Sequence, residues 1–134
     1  MTGRPVAAAL LAGAALVAVP GPAAHAVPHE VVYTVTAETE VGADIYYREV
    51  DPPNWADYSH DPYRFTPRAR VDLGPGRPWV LRTTLEDPQR WAMVVVTGTG
   101  RSVESTFRCE LSVDGAVVAT STGPKGALCA LRHW

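Results

Sequence analysis

The sequence is poor in several things that catalysis, membrane insertion and nucleic-acid binding require. Lysine occurs once, at Lys125, and the formal net charge is -2. No basic excess is present to hold the chain on nucleic acid or on an anionic membrane surface. No apolar run reaches the about twenty residues of a spanning helix. There is no H-x-x-x-H or comparable ligand spacing, which leaves no expected metal site. A G-x-S-x-G elbow and a glycine-rich phosphate loop are also missing, and Gly98-Thr99-Gly100 reads as a connection between strands. The two cysteines are too far apart for a C-x-x-C redox pair. Ser59-His60-Asp61 holds the residue types of a hydrolase triad, but neighbours in one loop do not make a triad, which is assembled from separate segments. Asp51, Asp57 and Asp61 lack the spacing of a calcium loop and read as a solvated acidic stretch. The expectation is a protein with no catalytic residues, no cofactor and no nucleic-acid partner.

What is present begins with an N-terminal export pattern. Arg4 supplies a positive start, Val6 to Val19 form an apolar run interrupted only by Gly13, and Pro20-Gly21-Pro22 follow it. Ala24-His25-Ala26 is an A-x-A cleavage site, so residues 1–26 read as a signal peptide. The alternative is an uncleaved N-terminal membrane anchor. No cysteine lies at the cut, which argues against a lipid-anchored form. Residues 27–134 then make one domain, secreted or held in the extracytoplasmic cell envelope, since 134 residues accommodate one domain more readily than two.

From Val27 onward the apolar residues alternate or fall in short blocks separated by Gly, Pro and Asp, as in strands. Strands are expected over Glu30–Thr36, Ala43–Val50, Pro78–Leu85, Trp91–Thr97, Phe107–Val113, Ala116–Ser121 and Ala127–His133. Val31, Tyr33 and Val35 share one face of the first. Ile45 and Tyr47 oppose Tyr46 and Arg48 in the second. Phe107, Cys109, Leu111 and Val113 share one face of the fifth. Asp114-Gly115 suits a two-residue type I′ turn, which needs positive φ at both positions. About seven short strands define an all-β chain, expected as an immunoglobulin-like β-sandwich.

Between the second and third of these strands lies a Pro-rich aromatic loop, residues 51–67. Pro52, Pro53, Pro62 and Pro67 remove ladder donors, so a loop or edge is expected there. Its aromatic residues argue against disorder. Trp55, Tyr58 and Tyr63 either cap the core or form an exposed contact surface, and they are the candidate partner-binding residues. Trp79 and Trp91 sit in expected strands as core residues. Cys109 and Cys129 are the only cysteines and both follow the export signal, so a disulfide is expected. It would tie the last strand to the strand that begins at Phe107.

Two stretches carry a family resemblance. Val31-Val32-Tyr33-Thr34-Val35-Thr36 followed by Ala43-Asp44-Ile45-Tyr46-Tyr47 resembles the opening strands of the mycobacterial MmpS family, small accessory proteins of MmpL lipid transporters. Cys109-Glu110-Leu111-Ser112-Val113-Asp114-Gly115-Ala116-Val117-Val118, with Cys129 beyond it, is similar to that family's C-x-[IL]-x-V-D-G hairpin and cysteine pair. Trp79 is similarly placed to the family's tryptophan-led middle strand. The resemblance implies a β-sandwich outside the cytoplasmic membrane of an actinobacterium. It also implies a membrane transporter as partner and a part in lipid or siderophore export. The competing expectation from the residues alone is a freely secreted binding module or inhibitor that uses the aromatic loop.

Overall fold

The structure is a computed structural model that describes residues 27–100 and 105–133, with Gly3 and Gly13 upstream. The expected signal peptide, residues 1–26, otherwise lies outside the described residues. In chain order the elements are β1 (His29–Ala37), β2 (Val41–Tyr47), α1 (Trp55–His60), a 3-10 turn (Pro62–Phe65), β3 (Arg68–Leu73), β4 (Trp79–Leu85), α2 (Pro88–Trp91), β5 (Met93–Gly98), β6 (Phe107–Val113), β7 (Ala116–Gly123) and β8 (Gly126–Ala130). The strands form two four-stranded sheets in the orders β4-β1-β6-β7 and β3-β2-β5-β8. All neighbouring strands are antiparallel.

Period-two alternation is what packs the two sheets together. Val31, Tyr33 and Val35 of β1 and Phe107, Cys109 and Leu111 of β6 point inward from the first sheet, all buried. Ala43 and Ile45 of β2, Val94 and Val96 of β5 and Cys129 of β8 meet them from the second. The Cys109–Cys129 disulfide, with Cα atoms 6.0 Å apart, therefore crosses between the sheets. It joins the inner strand β6 to the edge strand β8, so the expected pairing is found.

The expected sandwich of about seven short strands is found, with three local differences. The strand count is eight, because Arg68–Leu73 forms β3 on the edge of the second sheet. The sequence carries little strand signal there, because Val71 is its only large apolar residue before Leu73 and arginine or aspartate occupies every second position. The stretch 51–67 is not an open loop, since it holds α1 and the 3-10 turn. Both are too short to show a helical period. Trp91 closes the one-turn helix α2 rather than opening a strand, although it is buried as expected. Asp87 caps that helix by accepting from the Arg90 backbone N–H, and Pro88 occupies the first turn, where no donor is lost.

The β6–β7 hairpin turns at Asp114 (φ 51°) and Gly115 (φ 82°), the positive-φ pair expected of this dipeptide. The Asp114 carboxylate accepts from the Glu30 backbone N–H at 3.0 Å and from His29 Nδ1 at 2.6 Å. The His29 hydrogen bond first, then that of Glu30, holds the Asp114 carboxyl below the usual carboxylate range. A folded value depressed in this way adds stability above the unfolded pKa of about 3.9 and loses it as pH falls through the folded value. Asp114→Asn keeps a side chain that tolerates positive φ. It is expected to flatten the acid limb of stability below about pH 4, read from acid unfolding curves by circular dichroism. Parallel limbs in the two proteins would show that the His29–Asp114 contact does not contribute.

Candidate functional site

The register of the two sheets gathers one set of chain ends. His29 faces Leu85 and Val31 faces Val113 in the first sheet. Tyr47 faces Val94 and Met93 faces Ala130 in the second. Asp51 joins these two ends, because its carboxylate accepts from the Glu86 and Asp87 backbone N–H groups at 2.8 and 2.9 Å. The segment 48–67, α2 and the chain beyond β8 thus all lie where the N-terminal segment enters the domain.

Arg48 organises this end. Alternation along β2 puts it on the face opposite Ile45, yet it is fully buried, because Tyr58, Thr66 and Trp91 close around its side chain. Its Nη1 donates to the Trp91 carbonyl at 3.3 Å, and its Nη2 donates to Tyr58 Oη at 3.0 Å and Thr66 Oγ1 at 3.2 Å. The guanidinium also lies over the Tyr58 ring at 4.4 Å and the Trp91 ring at 5.7 Å. Neutral oxygen acceptors and π faces thus replace water around the cation. Below it, Tyr33 Oη donates to the Arg48 carbonyl at 2.7 Å and accepts from the Met93 N–H at 3.3 Å. Desolvation drives the Tyr33 phenol pKa well above its ordinary value, so it stays protonated.

An aromatic ladder extends from Arg48 to the surface. Trp91 stacks on Trp55 with centroids 6.3 Å apart, and Tyr58 meets both rings at 5.3 and 5.4 Å. Arg132, beyond β8, lies 4.1 Å over the Trp55 ring. Asn54 sets the angle of α1 by capping it, its Oδ1 accepting from the Asp57 N–H at 2.8 Å. Beside Trp55 opens a cleft of about 470 Å³ lined by Trp55, Asp87, Gln89, Arg90 and Arg132.

Of the three candidate partner-binding residues, Trp55 and Tyr58 come together, whereas Tyr63 stands apart on the 3-10 turn with 79% of its surface exposed. Trp55 is 44% exposed, so it both packs on the ladder and presents an edge to solvent. Arg48, Trp91 and Arg132 belong to the same constellation and were missed from the sequence. Their separation along the chain left no motif to find, and the strand pattern only set Arg48 with Tyr46 on the face opposite Ile45. Ser59 Oγ donates to the Ala56 carbonyl, so its hydroxyl serves the helix that carries it. Among the described residues no three His, Cys, Asp or Glu side chains are grouped as a metal ion would require.

Fold and site together define a two-sheet β-sandwich domain, bridged between sheets by one disulfide and closed at one end by an aromatic–arginine ladder. A model of the Rv2576c beta-sandwich domain matches residues 33–129, from the middle of β1 to the second bridging cysteine, and the chain belongs to that family. It is similar to the uncharacterized protein Rv2576c of Mycobacterium tuberculosis (strain H37Rv) and to the uncharacterized protein Mb2606c of Mycobacterium bovis. Each is 38% identical over 131 residues, a span covering 96% of this chain and 84% of the relative.

Proposed function

We propose that this protein is a non-enzymatic binding protein of the extracytoplasmic cell envelope, whose partner surface is the end of the sandwich bearing Trp55 and Tyr63. One observation carries the reading. Of the eight large apolar residues left exposed among the described residues, Val27, Val50, Trp55 and Tyr63, which include both aromatics, lie at the end where the N-terminal segment joins the domain. The other four are Val80, Val117, Val118 and Leu128 on strands. Aromatic residues of this kind are over-represented among the residues that dominate binding energy. The buried inter-sheet disulfide supports an oxidising compartment, and the export pattern of residues 1–26 supports the same location. Within this reading, the finer assignment is an accessory role like that of MmpS proteins, with a membrane transporter as partner in lipid or siderophore export. The order of motifs from Val31 to Cys129 supports it.

Intact mass of the protein from culture supernatant and from washed membranes of an actinobacterial host tests the location. A species beginning at Val27 and two hydrogens lighter than the dithiol is expected outside the cytoplasm. A full-length reduced species confined to the cytoplasm would overturn the reading. A membrane-bound species that retains residues 1–26 would favour the transporter-accessory role over the freely secreted module.

A further inference from the structure

The four sheet edges differ in how they are protected. An exposed edge offers unpaired N–H and C=O groups to any other strand, and proteins blunt it with charge, proline, bulges or short length. Edge strand β3 carries Arg68, Arg70 and Asp72, and edge strand β4 carries the exposed Arg82. Edge strand β8 has only five residues. The fourth edge, β7, runs for eight residues, Ala116–Gly123, without a charge or a proline. A bulge beside Leu111 and Ser112 interrupts its first half. Beyond the bulge, residues 119–123 stay in regular register with residues 107–111 of β6. Among the described residues no strand pairs with the other side of this stretch.

Charge on the neighbouring strand indicates what fits the edge. Arg108 and Glu110 alternate with buried Phe107, Cys109 and Leu111, so both stand on the outer face of the sheet. Among the described residues neither belongs to an ion pair. Thr122 of β7 lies opposite Arg108, and Thr120 lies opposite Glu110. A two-fold axis normal to the sheet would pair an edge strand antiparallel with its own copy, facing residues then sharing a face. An axis at Thr120 would set glutamate against glutamate along one row, and an axis at Thr122 would set arginine against arginine. An axis at Ser121 places Thr120 opposite Thr122 of the second copy. Each row across the junction then runs Glu110, Thr120, Thr122, Arg108, with opposite charges at its ends. Those ends are three strand spacings apart, about 14 Å between Cα atoms. Only threonine side chains stand between them, so an extended arginine and glutamate meet above the junction. Facing threonines add cross-strand contacts of their own.

We infer that β7 is a homodimer interface, in which residues 119–123 of two copies pair antiparallel about Ser121 and join their first sheets into one of eight strands. The interface uses a strand edge rather than the end that bears Trp55 and Tyr63, so it stands or falls separately from the partner surface proposed there.

Sedimentation equilibrium of the full oxidised chain, at protein concentrations up to about 300 µM, tests the inference. A monomer–dimer equilibrium is expected. Arg108→Glu and Glu110→Arg each put like charges in both rows and should weaken the dimer about tenfold. The double variant restores opposite charges and should recover the wild-type constant. An equimolar mixture of the two single variants should form a heterodimer, since each supplies the charge that the other lacks. Both side chains stand on the outer face, so the fold should persist in every variant, as circular dichroism would show. Amide exchange locates the contact, with protection expected to rise with concentration at residues 119–123 and to stay unchanged in β3 and β4. A monomer at every concentration would overturn the inference. So would a dimer indifferent to the charge variants, or one that protects β3 or β4 instead.

Discussion

Arg48→Met is expected to lower the melting temperature by on the order of 15 °C, from a loss of about 3 kcal/mol. Burial alone would make a cation at this position costly, and the surrounding groups offset that cost. The Trp91 carbonyl, Tyr58 Oη and Thr66 Oγ1 accept from its two terminal nitrogens, and the Tyr58 and Trp91 rings lie against its faces. Methionine fills much of the volume but donates nothing, so these groups lose their donor away from water. The larger consequence is topological. Thr66 is also tied to the Pro62 carbonyl at 2.8 Å, so Arg48 fastens the far side of the 48–67 excursion to the start of β5. Without it, α1 loses its tether and Trp55 its support. Arg48→Lys should recover less than half of the loss, because a single ammonium cannot reproduce the fork. Urea and thermal unfolding of the three proteins measure this. A loss below about 1 kcal/mol for methionine would put Arg48 among ordinary surface contacts and contradict the account.

Opening the Cys109–Cys129 bridge is expected to cost about 3 kcal/mol, from the loop entropy of a 20-residue separation. A domain of this size has only about 5–10 kcal/mol in total, so the loss is a large share of it. Its structural effect should be local before it is global. Among the described residues β8 is an edge strand that pairs with β5 alone, and the bridge ties it to β6 of the opposite sheet. In the reduced protein, amide exchange is expected to rise first at Gly126–Ala130, while β1 and β6 stay protected. Since Arg132 lies two residues beyond the end of β8, the Trp55 stack should loosen with it. Uniform exchange across both sheets would mean that the bridge adds global stability without anchoring that edge.

The sandwich was legible wherever alternation was strong. Val31, Tyr33 and Val35 share one face as expected, as do Phe107, Cys109, Leu111 and the half-buried Val113, and these faces turn inward; the Asp114-Gly115 turn has the backbone expected of the dipeptide. The disulfide followed from the expected export and the even number of cysteines. β3 was not legible, because an edge strand exposed on one side tolerates Arg68, Arg70 and Asp72 where a central strand would not. The candidate site was half legible. Aromatic composition pointed to Trp55 and Tyr58, and both lie in the ladder. Arg48 could not be found in this way, since charged residues are almost never fully buried unless specific partners surround them. Those partners, Trp91 above all, arrive from distant segments. Tyr63 had the same sequence signal as Trp55, but the 3-10 turn carries it away from the cluster.

That separation makes Tyr63 the position for the most direct test of the central claim, that this end of the domain is the partner surface. A photo-crosslinking amino acid at position 63 is well exposed and should leave the fold unchanged. A second at Pro75, in the β3–β4 turn at the opposite end, serves as its control. Both full chains are irradiated in an actinobacterial host, and adducts are identified by mass spectrometry. A discrete adduct to an envelope component is expected from position 63 and none from position 75. Adducts from position 75 alone, or none from either site, would contradict the claim.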